Sequence, residues 1–158
     1  MSTPRALLYG TLAVGILDLL DAVVFFGLRG VQPARIFQSI ASGLLGRAAF
    51  AGGMATAALG IALHFFIAFL IVAVFLLASR RLPALVRAPI LSGLIYGIGA
   101  YIVMQYLVIP LSAAGTGRFS WPVFVNGVLI HMFGVGLPAS LAARAATRRP
   151  TMSRAWNS

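Results

Sequence analysis

The chain has 158 residues, 61% hydrophobic and 9% charged, with a formal net charge of +10 and no cysteine. Its mean hydropathy is +1.01, and a soluble domain of this size cannot bury so much apolar surface and cover the remainder with polar side chains. Disulfides, zinc–thiolate sites and iron–sulfur clusters are excluded by the missing cysteine; the arginines, unaccompanied by any lysine, lie between apolar segments instead of on one basic face, so the expected partner is the lipid bilayer and no nucleic acid.

About 20 predominantly apolar residues are needed for a helix to cross the hydrocarbon core. The first such segment is 6–28, closed by Arg29-Gly30. It carries both acids of the chain, Asp18 and Asp21, three apart and therefore on one helix face. Acids at that depth do not suit the apolar core of a cleaved signal peptide, so the segment reads as retained.

After it, residues 33–50 predict an amphipathic helix in a long first loop. Pro33 suits a first helical turn. Ile36, Phe37, Ile40, Ala41, Leu44, Leu45 and Ala48 fall on one side of the wheel, with Arg35, Gln38, Ser39, Ser42 and Gly46 on the other. The pattern fits an interfacial helix sealing the bundle or a lid over it. The continuous polar side excludes a further span.

The second span is predicted over 54–78, ended by Arg80-Arg81-Leu82-Pro83, and the third over 90–109, ended by Pro110. The fourth, 123–143, begins just after Trp121-Pro122, which reads as an interfacial anchor, and leads into a polar tail, 144–158. Pro138 inside it predicts a kink near Gly134–Gly136. Gly93 and Gly97 form a GxxxG step, and Gly52, Gly53, Ala57 and Gly60 give the second span a small face. Such faces serve close helix packing or a homodimer.

Four spans place both termini on one side. With that side inside, cytoplasmic segments hold Arg5, Arg80, Arg81, Arg87, Arg144, Arg148, Arg149 and Arg154, against Arg29, Arg35, Arg47 and Arg118 outside. The imbalance predicts N-in and C-in. The fold expected is an all-α four-transmembrane-helix bundle, one membrane domain over 1–158. It includes a two-span parallel repeat, since Gly60–His64–Pro83 and Gly127–His131–Pro150 have the same spacings.

Ionisable groups within a bilayer cost about 2.5–3.5 kcal/mol each and normally face a bundle interior or water. At about 1.5 Å rise per residue, Asp18, His64, Tyr101 and His131 fall roughly 12–15 Å below the outer ends of four different spans. A second polar layer, nearer the outer face, holds Asp21, Gln105 and Asn126. Three chemistries suit such layers. One is an interhelical hydrogen-bond cluster that fixes packing, as in an accessory or assembly subunit. Another is a transport site for protons, cations or a small solute, since Asp and His titrate near the physiological range. The third is a divalent metal held by Asp18, His64 and His131. No hydrolase elbow, phosphate loop or intramembrane protease pair is present, so neither an enzymatic reaction nor a cofactor is expected.

The runs Leu17-Asp18 to Asp21, Phe25-Phe26-Gly27-Leu28-Arg29-Gly30, Pro33 to Gly46, the His64 segment and Asn126 to His131 resemble small four-span bacterial inner-membrane proteins, broadly YagU-like. That resemblance implies a bacterial inner membrane and brings no substrate or catalytic residue with it.

Overall fold

The computed structural model describes residues 1–147. Four helices are long and apolar enough to cross a membrane: α1 (Thr3–Gly27), α3 (Gly53–Arg81), α5 (Pro89–Leu111) and α6 (Trp121–Thr147). Two shorter helices join them, α2 (Pro33–Leu45) after the first span and α4 (Ala84–Arg87) between the second and third. Leu8, Leu20, Val24, Leu77, Ile95 and Phe133, among many other apolar side chains, are exposed on the outside of the bundle. Apolar surface on that scale belongs against lipid, and the chain is a multi-pass membrane protein.

Both ends of the described chain lie at one end of the bundle. The Met1 ammonium donates to the Ala145 carbonyl at 3.1 Å, and Arg80 at the end of α3 reaches the Thr3 hydroxyl at 3.4 Å. This terminal half has a dry core of Ala6, Val14, Val72, Phe75, Val135, Ala139 and Ala143. The opposite, loop half carries α2, a 3-10 segment at Gly46–Ala51, and the loop between α5 and α6, whose Ala113 N–H donates to the Gly43 carbonyl at the end of α2.

Three glycines of the small-residue faces pack against the chain itself. A Cβ on Gly93 or Gly97 would strike the backbone of α6 around His131 to Leu137, and one on Gly60 would strike the backbone of Phe37 in α2. Glycine at these three points permits main chain to lie against main chain. Gly93, Gly97 and Gly60 therefore face the chain's own helices, whereas Gly52 and Gly53 are exposed.

Two further expectations are corrected. Pro110 does not end the third span: α5 runs through it to Leu111, by way of a π turn at Met104–Val108. In α6 the kink region ahead of Pro138 is a π turn at His131–Gly136. One physical cause serves both. Proline lacks an N–H and its ring crowds the carbonyl four residues back, here Tyr106 and Gly134, and a widened turn accommodates both defects without leaving the helix.

The other correction concerns α2, which ends at Leu45 instead of reaching residue 50 as one helix. Part of its polar side is turned inward, with Arg35 and Ser39 left exposed. Gln38 and Ser42 are each 5% exposed, while Leu44 is 63% exposed. The Gln38 amide donates to the Gly53 carbonyl at 2.9 Å and so fastens α2 to the start of α3. Where the surroundings are lipid, burying the polar side and exposing leucine is the favourable choice. The tail residues 148–158, with Arg148, Arg149, Pro150, Arg154 and Trp156, lie outside the described residues.

Candidate functional site: a polar chamber between the spans

Where the dry core ends, the four spans enclose a cavity of about 300 Å³. Asp18 from α1, His64 from α3, Tyr101 and Gln105 from α5, and His131 from α6 all line it, and Ile36, Ser39 and Ile40 of α2 form part of its wall. Each side chain is brought there by a local feature of its helix.

Asp18 sits one turn beyond Gly15, at which α1 has no side chain; a Cβ there would meet the Phe65 ring. That close approach lets His64 Nε2 donate to the Gly15 carbonyl at 2.8 Å. A carbonyl only accepts, so Nε2 carries the proton and Nδ1 is turned toward Asp18, 3.9 Å from Oδ2. The two side chains are 25% and 12% exposed, respectively. Their separation exceeds a direct hydrogen bond and leaves room for one donor between them.

His131 opens the π turn of α6. Its Nδ1 donates to the Gly127 carbonyl of the same helix at 2.9 Å, which leaves Nε2 without a protein partner among the described residues. Gly127 also makes space for Tyr101, whose ring lies where a Cβ would project. Tyr101 is 7% exposed and meets His131 edge-on, with ring centroids 5.4 Å apart.

Asp21 and Asn126 do not line the chamber. They pair with each other, the Asn126 amide donating to Asp21 Oδ2 at 2.6 Å, and tie α1 to α6 one turn nearer the loops. Gln105, grouped with them by depth, instead lines the chamber and a neighbouring cavity. Among the described residues no three acidic or imidazole side chains are grouped to hold a metal ion.

Sequence reasoning missed the Gly15 carbonyl, the α2 residues in the chamber wall and Met104, which also lines it. A backbone acceptor has no side-chain signature. The two prolines that follow the π turns were the available signal for the displaced turns that carry Met104, Gln105 and His131.

The fold and the chamber thus define a multi-pass helical membrane protein with ionisable side chains lining a cavity between its helices. No protein-family model, no curated protein and no solved structure matches the chain.

Proposed function

We propose that the chain resides in a bacterial inner membrane, N-in and C-in, as a YagU-like four-span protein with two parallel halves, and moves protons, or a cation or small solute coupled to them, through the chamber. The observation that carries this reading is the chamber itself: one carboxylate and two imidazoles share a cavity at mid-span in a bilayer-exposed bundle. Such groups are expensive in lipid and are kept where they pair or transfer protons. The dry core of Val14, Val72, Phe75 and Val135 closes the terminal side, while the loop side is walled by the smaller helix α2. That asymmetry suits a site that opens to one side at a time.

The test is proton flux in liposomes containing the purified protein and an internal pH dye. The wild-type chain should conduct, and Asp18→Asn should lower the rate at least about tenfold, the scale expected when the charged member of a pair is lost. Flux unchanged by Asp18→Asn and by the double change His64→Phe with His131→Phe rules the reading out. Reporter fusions at residue 115 and at the N-terminus test the orientation, which requires opposite sides for the two. A second reading, a non-catalytic accessory subunit, is favoured by the Asp21–Asn126 pair, which fastens two spans and leaves the chamber unused.

A further inference from the structure

In the terminal half α3 and α5 are joined, the Tyr96 hydroxyl donating to the Ile71 carbonyl at 2.7 Å and its ring meeting Phe75 edge-on at 4.9 Å. Toward the loops they part. Between them runs a groove of about 500 Å³, bordered by Leu70, Val74, Gly99, Ala100, Val103 and Val108, with no charged side chain in its lining. Ile67, Ile71 and Met104 line both this groove and the polar chamber, so three apolar side chains form the partition between them.

The aqueous approaches differ in character. The cavity outside α2, about 740 Å³, contains Arg35 and meets the chamber at Phe26, Ile36 and Ser39. The cavity beside the α5–α6 loop, about 310 Å³, contains Arg118 and meets the chamber at Tyr101 and Gln105. A cation arriving from water at either point first meets an arginine, whereas the groove presents none.

What the chamber offers a visitor is equally specific. His64 and His131 each commit one ring N–H to a carbonyl, so in the neutral ring the other nitrogen is an acceptor, and the Asp18 carboxylate accepts as well. Around Asp18 and His64 the chamber therefore offers acceptors, while its uncommitted donors, the Tyr101 hydroxyl and the Gln105 amide, come from α5. A primary ammonium brings three donors and a positive charge, and the 3.9 Å between His64 Nδ1 and Asp18 Oδ2 admits a donor shared by both.

Resting on the transport reading above, we infer that the solute is a lipophilic primary ammonium ion. It enters from the bilayer through the α3–α5 groove, with its ammonium between Asp18 and His64 and its hydrocarbon chain along the groove. Lipid tails are as apolar as the groove, so the chain adds selectivity for membrane-dissolved molecules more than contact energy.

The experiment measures binding of radiolabelled dodecylammonium to the full chain in phosphatidylcholine nanodiscs, with empty discs subtracted. Saturable one-site binding is expected. Dodecyltrimethylammonium, which lacks N–H donors, and dodecanoate, which carries the opposite charge, should each bind at least about tenfold more weakly, as should dodecylammonium to Asp18→Asn. Gly99→Leu fills the groove, and since a Cβ at Gly99 meets nothing within 4 Å the variant should fold normally. It should weaken dodecylammonium about tenfold and leave butylammonium, which is too short to need the groove, unchanged. Equal binding by the trimethyl analogue, no saturable binding, or no effect of Gly99→Leu overturns the inference while proton flux sensitive to Asp18→Asn keeps the site. Flux insensitive to Asp18→Asn removes the site reading itself.

Discussion

His64 and His131 occupy corresponding places in the second and fourth spans, each four residues after a glycine, yet the two halves use them differently. In α3, an unbroken helix, the space left by Gly60 is taken by the backbone of α2, and His64 reaches across to the Gly15 carbonyl of α1. In α6 the space left by Gly127 is taken by the Tyr101 ring, and His131 bonds back to its own helix at the start of a π turn. One imidazole therefore joins two spans. The other is held by its own span and presents its free nitrogen. The same short pattern yields a fastener in one half and a poised group in the other because different neighbours fill the glycine gap.

The contrast is broken most severely by filling a glycine whose gap holds backbone. Gly97→Leu, whose side chain would collide with the His131 carbonyl and the Met132 Cα, should cost about 3 kcal/mol or more and prevent recovery of folded protein in detergent, since backbone cannot yield as a flexible side chain does. Gly99→Ala, two residues away with nothing within 4 Å of the new Cβ, is the control and should leave thermal unfolding unchanged.

A next smaller effect separates the two acids. Asp18→Asn should reduce flux at least about tenfold with little change in unfolding temperature, whereas Asp21→Asn should keep the flux and weaken only the hydrogen bond to Asn126. Equal flux in both variants would dissolve the distinction between chamber and fastener.

The histidines themselves sharpen the comparison at the next scale. His64→Phe keeps a ring but loses the bond between spans, and should lower stability by about 0.6–1.7 kcal/mol. His131→Phe loses only a bond within its own turn and should change stability by less than about 0.5 kcal/mol, while flux falls in both. Denaturation monitored by circular dichroism distinguishes them, and equal losses would mean that the two imidazoles fasten alike. Tyr96→Phe, which removes the donation to Ile71 but preserves the aromatic contact with Phe75, should lose about 0.6 kcal/mol in the same measurement, between the two histidine variants.

Much of this could be read before any coordinates. Asp18, His64, Tyr101 and His131 were placed at one level by counting residues from the ends of their spans, because helix rise is nearly constant, and they do line one cavity. Gln105, which the same count puts in the layer nearer the outer face, lines the chamber too, on the π turn that follows Val103. The helical wheel of α2 separates a polar from an apolar side but does not say which neighbour each meets. Gln38 of the polar side lies inside against Gly53, where a bilayer environment favours it.

Four spans, their apolar exterior and the depth of the ionisable groups follow from composition and from the regular geometry of a helix, both of which are local properties that accumulate along the chain. Which nitrogen of each histidine is free, how Asp21 finds a hydrogen-bond donor in Asn126, and where α3 and α5 separate depend on the approach of residues dozens of positions apart. Those outcomes arise only in the folded bundle, because a hydrogen bond or a gap between helices exists only once both of its sides are in place.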